Sequence, residues 1–375
     1  MNEEKINKNL PVLRVLIAPL DWGLGHATRC IPIINYLYGL GVQVILAGEG
    51  ETTEILRKTQ PESVILPLKG YRVRYSRKKK LFFLHMLLQF PKIIAAVYHE
   101  RNWLKKAIAA YHIDAVISDN RFGLSNPRIP TVFITHQLAI KTGFKWLDAL
   151  AAKINYRFIE KFNECWVPDM EGKANLAGVL SHPVQRPRIP VKYLGVLSRF
   201  KTMPAQKMYE LLILLSGPEP QRSIFENILL RQVNDIKGKI AVVRGLPLET
   251  GILTNGNAQL TIFNHLPAGE LNMLIMQSKH IVARCGYSTV MDLATLMQKA
   301  VLVPTPGQTE QEYLAAHLQE NRFFVTRKQE NFSLAEAVSA LQDTTADQTG
   351  INPRLQEDII KNWVAGLMKR SVMQR

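Results

Sequence analysis

Short runs of branched apolar residues alternate with helical patterns along this chain. The first run covers residues 12–18, and a helical pattern over residues 27–40, ended by Gly41, follows it. Runs of this kind are typical of parallel strands that are buried on both faces. The alternation therefore predicts an α/β fold with a doubly wound parallel sheet. Further strands of the first half are predicted at residues 42–47, 64–66, 115–118 and 131–135, and further helices at residues 51–59, 145–162 and 173–177.

A Pro- and Arg-rich segment, residues 181–190, interrupts the alternation and is predicted to be an extended connection between domains. The alternation then restarts, with strands predicted at residues 211–215, 240–243, 259–263, 280–283 and 300–303. A chain of 375 residues is long enough for two domains, each with its own core. We predict two Rossmann-like domains, residues 1–190 and 191–352, followed by a helical C-terminal segment, residues 353–375.

The composition is that of a globular protein, with 47% hydrophobic and 21% charged residues. The three cysteines, Cys30, Cys165 and Cys285, lie far apart without metal-ligand spacing, so neither a disulfide framework nor a zinc site is expected. The first ten residues are polar, unlike a signal peptide, and no run of about 20 apolar residues could span a membrane. These features predict a cytoplasmic protein.

The net charge of +16 is concentrated in one segment, from Lys69 to Lys106, which contains eleven Lys or Arg residues and a single acid, Glu100. Such a patch predicts an anionic partner, either nucleic acid or a lipid headgroup surface. The segment also contains an apolar stretch over residues 81–88, which suits a helix at a membrane surface. The alternative is a buried connecting helix behind a solvated charged loop. No nucleic-acid-binding module is recognised, so a nucleic acid partner is not expected.

A glycine-containing turn, Gly23-Leu24-Gly25-His26, lies where the first strand meets its helix. Glycines at such a turn let a ligand approach the backbone, and the start of the helix favours negative charge. Thr28 replaces the third glycine of the dinucleotide fingerprint, although Glu49 after the second strand would suit a ribose. A dehydrogenase and a purely structural turn therefore stay as alternatives. His26 lies at the mouth of the predicted crevice, where an imidazole is placed for acid–base chemistry.

Polar residues also follow two later strands of the first half. Asp119 and Asn120 follow one strand and His136 the next, so all three are predicted to line the same crevice as His26. Asp119 is the second candidate for a general base, or it orients the imidazole of His26. As isolated residues they are also explained as hydrogen-bonding groups of ordinary loops.

The second half contains a comparable turn, Cys285-Gly286-Tyr287-Ser288, between an apolar run and a helical pattern. The start of a helix presents unpaired N–H groups and a positive dipole end, which together make an anion site. Asp292 lies about one helical turn further on, where its carboxylate can accept hydrogen bonds from a ribose diol. This turn is therefore predicted to bind a nucleotide diphosphate.

Two further loops follow predicted strands of the second half. Residues 216–220 repeat the strand–loop–helix arrangement, a weak signal that an ordinary connection also explains. Residues 305–313 are polar and rigidified by prolines, and Gln308, Gln311 and Glu312 can hydrogen-bond several hydroxyl groups, as on a sugar. The alternative is a solvated start of a helix.

Three motifs together resemble those of GT-B-type glycosyltransferases, in particular the family of the peptidoglycan GlcNAc transferase (family 28): Gly23-x-Gly25-His26-x-x-Arg29, Arg284-Cys285-Gly286-Tyr287-Ser288-Thr289-Val290-x-Asp292, and Gln311-Glu312-Tyr313. The resemblance covers most of the chain, although Asp292 and Glu312 stand where the close relative has Glu and Gln. It implies two Rossmann-like domains with a donor–acceptor cleft between them and a last helix, residues 355–369, that crosses back onto the first domain. It also implies an inverting, metal-independent transfer from a UDP-linked sugar, without a cofactor.

Roles for individual residues follow from these positions and from the resemblance together. His26 is the expected general base, and Asp21, Asn120 and His136 are expected on the acceptor side. The residues expected around the donor nucleotide are Gly25, Ser216, Gly217, Leu266, Arg284, Gly286, Ser288, Thr289 and Asp292, and those around the donor sugar are Gln308, Gln311 and Glu312.

Relatives with lipid acceptors bind membranes through a basic and apolar patch of the first domain. The segment from Lys69 to Lys106 is therefore expected to make peripheral contact with an anionic membrane, and the acceptor to be a lipid or another envelope component. Two alternatives stay open, a nucleotide-sugar epimerase of the same fold and a basic protein that binds nucleic acid or anionic surfaces without catalysis.

Overall fold

The computed structural model describes residues 12–21, 23–71, 82–249, 251–253, 257–343, 348, 351 and 353–373. Within these residues the chain forms two seven-stranded sheets, one in each half, with helices packed on their faces. This is the predicted α/β architecture of two Rossmann-like halves.

The first half begins with a buried apolar strand and continues as alternating strands and helices. In chain order its elements are β1 (Arg14–Pro19), α1 (Leu24–Gly39), β2 (Gln43–Gly48), α2 (Gly50–Thr59), β3 (Val64–Pro67), α3 (Phe82–Tyr111), β4 (Ala115–Asp119), β5 (Thr131–Ile134), α4 (Lys145–Ile159), β6 (Glu164–Val167) and β7 (Val191–Tyr193). All strands are parallel, in the order β3-β2-β1-β4-β5-β6-β7. The strand order reverses between β1 and β4, and ligands of open α/β sheets bind beside such a reversal.

The second half repeats this arrangement. Its elements are β8 (Tyr209–Leu214), α5 (Gln221–Leu230), β9 (Ile240–Val243), β10 (Ile252–Leu253), β11 (Leu260–Phe263), α6 (Ala268–Met276), β12 (Ser278–Arg284), α7 (Tyr287–Thr295), β13 (Val301–Val303), α8 (Thr309–Glu320), β14 (Val325–Thr326), α9 (Leu334–Gln342) and α10 (Glu357–Met373). The order is β10-β11-β9-β8-β12-β13-β14, with β10 antiparallel at one edge. Here the order reverses between β8 and β12.

The first half extends further along the chain than predicted. β7 pairs with β6 in parallel, with Cys165 opposite Val191, so the first sheet includes residues beyond the predicted domain boundary at residue 190. The Pro- and Arg-rich segment, residues 181–190, therefore lies inside the first half and is not the connection between the halves. The predicted boundary at residue 352 lies outside the described residues.

The helix predicted at residues 173–177 does not form. The buried carboxylate of Asp169 instead accepts backbone N–H groups from Met170, Leu176 and Ala177, and these bonds hold the segment as a loop. Asp side chains compete with backbone carbonyl groups for the N–H donors of a helix. The carboxylate of Asp169 takes these donors because it is buried, so water cannot replace them.

α3 is a single helix that continues through Pro91. Leu104 and Ala107 bury one side of it against the first sheet, whereas Lys105 and Lys106 are exposed. The basic segment from Lys69 to Lys106 is only partly described, because residues 72–81 lie outside the described part of the chain. Among the described helices, none is long and apolar enough to cross a membrane.

α10 packs on the first half, although it follows the second. Ile360, Trp363 and Leu367 are buried along one of its faces. The indole of Trp363 meets that of Trp166 on β6 edge to face, with the ring centroids 5.3 Å apart. The last helix therefore crosses back, as the resemblance implied.

Replacing Trp363 with Ala should destabilise the protein, because the change leaves a cavity beside Trp166 and weakens the attachment of α10. Truncation of a buried Trp costs about 3–5 kcal/mol. Lys369→Ala, at an exposed position of the same helix, should change the free energy of unfolding by less than about 0.5 kcal/mol. Urea unfolding followed by circular dichroism measures both, and equal midpoints for the two variants would contradict this packing.

Candidate active site

His26 and Asp119 lie on the two sides of the strand reversal in the first sheet. His26 is in the first turn of α1, which follows β1, and Asp119 is the last residue of β4. Gly23 precedes α1 with a φ of 82°, in the left-handed region that favours glycine. The structure therefore brings together at one sheet edge the two residues that were predicted to share a crevice.

Asp119 is fully buried and held by an ion pair with Arg29. The guanidinium donates from Nε to Asp119 Oδ2 at 2.7 Å and from Nη2 to Oδ1. His26 Nδ1 lies 3.1 Å from the same Oδ1. Burial raises the pKa of Asp119, but Arg29 and His26 outweigh it and hold this pKa well below its usual range. Asp119 is therefore ionised and accepts hydrogen bonds through both oxygens.

This arrangement suits Asp119 as the group that orients His26. An ionised carboxylate can accept the Nδ1–H of a neutral imidazole, and in that tautomer Nε2 is the acceptor. Arg29 Nη2, which can only donate, lies 2.8 Å from the same Nδ1 and favours the other tautomer. A carboxylate with so low a pKa is a poor proton acceptor in its own right. Of this pair, the imidazole of His26 is therefore the better proton acceptor.

The pKa of His26 is lowered from 6.5, first by burial and then by the positive charge of Arg29, whereas Asp119 raises it. Arg29 Nη2 lies 2.8 Å from His26 Nδ1, so a second positive charge on the imidazole would be repelled. The imidazole is therefore neutral near pH 7, the state in which it can accept a proton.

A second histidine links this pair to the other half of the chain. His136 follows β5, and its Nδ1 lies 3.3 Å from Arg29 Nη1. Its Nε2 lies 2.6 Å from Oε1 of Glu310 on α8. The His136 ring also stacks on Tyr287 of α7, with the centroids 4.2 Å apart.

Sequence reasoning gave no role to Arg29 or Glu310. The spacing of His26 and Arg29, three residues apart on one helix, places both on one face and could have indicated their proximity. Nothing local indicated Glu310, because its partner His136 is 174 residues away in the sequence.

The two halves touch where α1 and α7 begin. Ser288 Oγ donates a hydrogen bond of 3.1 Å to the carbonyl of Gly25. A Cβ at position 25 would lie 2.5 Å from that hydroxyl oxygen, so only glycine allows this approach. Gly25 and Ser288, both expected around the donor nucleotide, are therefore neighbours across the cleft.

The start of α7 retains the features of an anion site. Gly286 precedes the helix, and no side chain caps its first N–H groups. Ser288 and Thr289 lie in the first turn, so their backbone N–H groups point out of the start of the helix.

Arg284, at the end of β12, is a buried cation that forms no ion pair with any residue that the structure describes. Only 1% of the residue is exposed, and burial lowers the pKa of its guanidinium to about 9. Nη2 donates to the carbonyl of Gln221 at 2.7 Å, and the group lies 4.2 Å from the ring centroid of Phe225. Nε and Nη1 have no partner within the described residues. An unpaired buried charge is costly, so an anion bound nearby would stabilise it.

Asp292 lies on α7 and faces the connection between the halves. Ser198 Oγ donates to Asp292 Oδ1 at 2.5 Å. Burial raises the pKa of Asp292 to about 6, opposed by Ser198 and by the charge of Arg199. No bond to Oδ2 forms within the described residues, so this oxygen remains able to accept from a ligand. Ser198 was not predicted.

The residues expected around the donor sugar lie at the start of α8. Gln311 Oε1 accepts the backbone N–H of Thr305 at 2.8 Å, and Glu312 Oε1 accepts that of Gly307 at 3.1 Å. These bonds fix the loop after β13. Gln308 immediately precedes α8.

The remaining residues expected around the nucleotide occupy two loops. Ser216 and Gly217 follow β8 at the second strand reversal, and a Cβ at Gly217 would lie 3.8 Å from Thr305 Oγ1, so this loop adjoins that of the expected sugar residues. Leu266 is buried in the main apolar core.

Asp21 and Asn120 lie outside the hydrogen-bonded network of His26. Asp21 Oδ1 accepts the backbone N–H of Tyr71 at 3.1 Å, and Asp21 lines a cavity of about 420 Å³ with Glu49 and Glu51. Asn120 directly follows Asp119 with a φ of 57°, a left-handed conformation that Asn tolerates better than most residues.

Among the described residues, no group of three or more His, Cys, Asp or Glu side chains is placed to hold a metal ion.

Comparison with known sequences gives a distant relative. The chain is 21% identical over 328 residues to an uncharacterized glycosyltransferase of Methanosarcina acetivorans, covering 83% of this chain and 84% of the relative. No protein-family model matches the sequence.

Solved structures with similar folds cover nearly the whole chain. MurG of Acinetobacter baumannii matches with a TM-score of 0.53 and 14% identity, over 94% of this chain and 99% of its own. The glycosyltransferase VinC in complex with dTDP has a TM-score of 0.57 and 12% identity, over 96% of this chain and 100% of its own. A putative UDP-N-acetylglucosamine 2-epimerase of Listeria monocytogenes has a TM-score of 0.55 and 10% identity, over 97% of this chain and 98% of its own. The chain therefore has the GT-B fold, two facing Rossmann-like halves, as these glycosyltransferases do.

Proposed function

We propose that the protein is a glycosyltransferase that moves a sugar from a nucleotide-sugar donor to an acceptor hydroxyl. One observation carries this proposal. A neutral imidazole held by an ionised carboxylate, His26 with Asp119, lies in one half directly beside the start of α7, the anion site of the other half. A base and a site for a departing diphosphate on opposite sides of one cleft are the two groups that glycosyl transfer needs.

The donor half stabilises the leaving group. The N–H groups that begin α7 point at the diphosphate, and Arg284, with two nitrogen atoms that lack a partner within the described residues, supplies the nearby positive charge. Asp292 binds the ribose through its open oxygen, and Gln308, Gln311 and Glu312 lie beside the sugar. We propose a uridine base from the resemblance to the family 28 transferases, and the relative bound to dTDP also carries a pyrimidine nucleotide.

The acceptor half activates the nucleophile. His26 Nε2 accepts the proton of the acceptor hydroxyl while its oxygen forms a bond to the anomeric carbon. The bond from that carbon to the phosphate oxygen breaks, and the nucleoside diphosphate leaves with the bonding electrons. A single displacement of this kind inverts the anomeric centre. Asp119 keeps the Nδ1–H of His26 in place throughout. The chain's own cationic and N–H groups supply the charge stabilisation, so we propose transfer without a metal ion.

An epimerase is the second candidate, because the Listeria monocytogenes protein of that name shares the fold. An epimerase converts its donor without an acceptor. Incubation with nucleotide sugars alone, followed by product analysis, separates the two: conversion to an isomeric nucleotide sugar without an acceptor would favour the epimerase.

An anionic membrane surface is the proposed second partner, with a lipid-linked or envelope acceptor. Phe144, Trp146 and Leu150, at the start of α4, are 59%, 69% and 49% exposed. Phe158 further along α4 packs in one apolar cluster with Val97 of α3, so the two helices adjoin. Both cross between parallel strands in the same direction, so the exposed start of α4 lies on the same side as the first part of α3. This exposed apolar surface beside a basic helix suits peripheral binding on the inner face of the membrane.

His26→Ala should lower turnover by about 10²–10⁴-fold with donor binding nearly intact, if the imidazole is the general base. In the unmodified protein activity should persist below pH 6.5 and fall as His26 is protonated, because its pKa is lowered and only the neutral ring accepts a proton. A pH–rate profile with a panel of UDP-sugars measures this. His99→Ala, at an exposed position on α3, is the control, and full turnover of His26→Ala would remove His26 from the mechanism.

Asp292→Ala should weaken UDP binding by roughly 10- to 100-fold, because bonds to a charged group contribute about 1.5–3 kcal/mol. Isothermal titration calorimetry measures the affinity. Ser198→Ala removes the partner of Asp292 but keeps the carboxylate, so it should weaken binding much less. Equal losses in both variants, or no loss in Asp292→Ala, would contradict the ribose assignment.

Flotation with vesicles of phosphatidylcholine, with or without phosphatidylglycerol, tests the membrane surface. We expect preferential binding to the anionic vesicles and at least about five-fold weaker binding of the double variant Trp146→Ser and Leu150→Ser, because apolar side chains gain by burial in the headgroup region. Val184→Ser, at a fully exposed apolar residue elsewhere, should bind normally. Equal binding to both vesicle types would argue for a plain solvated surface.

A further inference from the structure

Glu310 is a donor-half carboxylate that contacts the acceptor half. It lies in the first turn of α8, and its Oε1 is 2.6 Å from Nε2 of His136. The His136 side chain is 5% exposed and that of Glu310 33% exposed, so the contact forms at the edge of the cleft and not in bulk solvent. A charge-assisted bond of this length is among the stronger hydrogen bonds in proteins.

The donors and acceptors along this contact can be assigned. An Arg side chain can only donate, so Arg29 Nη1 donates to His136 Nδ1. His136 Nδ1 is then the acceptor nitrogen of a neutral ring, and Nε2 carries the hydrogen that it donates to Glu310. The other edge of the same guanidinium donates to Asp119. A continuous chain of hydrogen bonds therefore runs from Glu310 through His136 and Arg29 to Asp119.

Two further contacts hold the second half against the first half near His136. The Tyr287 ring of α7 stacks on His136 at 11°, and its hydroxyl donates to the carbonyl of Pro168 at 2.7 Å. Thr309, beside Glu310, donates to the carbonyl of Lys141 at 2.5 Å. His136 is thus held by groups of both halves, and movement of α8 away from it would remove the bond from Glu310.

We propose that Glu310 is a positioning residue for the base in the opposite half. Through His136 and Arg29 it holds the side chains of Asp119 and His26 in their positions. The base is therefore complete only when the donor half lies against the acceptor half. This inference rests on the proposed function in taking His26 as the base. It couples arrival of the donor half to activation of the acceptor hydroxyl, which protects a bound donor from reaction with water before the cleft is assembled.

The titratable and charged groups that face His26 come from four elements. They are Arg29 of α1, Asp119 of β4, His136 after β5 and Glu310 of α8, and the neutral phenol of Tyr287 on α7 completes the surroundings. Burial raises the pKa of Glu310, but His136, His26 and Arg29 outweigh it and lower this pKa. The attraction is mutual, so the negative charge of Glu310 favours the protonated form of His26.

Two substitutions separate the charge of Glu310 from its contact. Glu310→Gln keeps an oxygen that accepts from His136 and removes the negative charge. Turnover near neutral pH should therefore change little, while the pKa of His26 falls. The decrease of activity on the acid side of the pH–rate profile should then move to lower pH. Glu310→Ala removes the contact, so kcat should fall by roughly ten-fold or more at every pH, as expected when a base is misplaced. Glu320→Gln, an exposed carboxylate at the end of α8, is the matched control and should change neither quantity.

Two measurements are needed, pH–rate profiles with a UDP-sugar and acceptor, and histidine-ring NMR titration of the protein without substrate. An unchanged His26 titration in Glu310→Gln, or a loss in Glu310→Ala that appears only in the donor KM, would overturn the proposal. The NMR titration does not depend on turnover. If the unmodified protein shows no transfer but the His26 titration responds to Glu310→Gln and not to Glu320→Gln, the coupling is supported and the proposed function alone fails.

Discussion

The buried ion pair between Arg29 and Asp119 constrains the rest of the cleft. Both charges are removed from water, which is costly unless every donor and acceptor finds a partner. The guanidinium engages both oxygens of Asp119 with one edge and His136 with the other. This requirement fixes α1 against the ends of β4 and β5 and leaves the imidazole of His26 in a single orientation. A neutral, oriented base is thus a consequence of how a buried charge is satisfied.

The two halves differ in how many partners their buried arginine has. In the first half the buried cation Arg29 donates to Asp119 and to His136. In the second half two nitrogen atoms of the buried cation Arg284, Nε and Nη1, have no partner within the described part of the chain, and Nη2 donates to Gln221 at the start of α5. Such a site is incomplete by itself and gains stability from an anion. The contact of Ser288 with Gly25 brings the two environments together.

Local patterns predicted most strands well, and they failed where distant groups decide the backbone. The strand predicted over residues 115–118 is β4. Short runs of branched apolar residues in an α/β protein are typical of parallel strands that are buried on both faces. Residues 173–177 have a helical pattern, but the buried carboxylate of Asp169 takes their N–H groups. The Pro- and Arg-rich segment has the composition of a linker, but β7 follows it and returns the chain to the first sheet. Composition does not reveal which sheet a later strand joins.

The sequence by itself determined the α/β class, the two-part division and the loops that carry the site, because parallel strands and the helices that follow them are encoded within short windows. It also placed His26 and Asp119 at one sheet edge, since the carboxyl ends of parallel strands share that edge. Only the tertiary structure decided that Asp119 is bound by Arg29, that two nitrogen atoms of Arg284 find no partner among the described residues, and that Glu310 reaches His136 from the other half. These features depend on burial and on contacts between residues far apart in the chain, which no local pattern records.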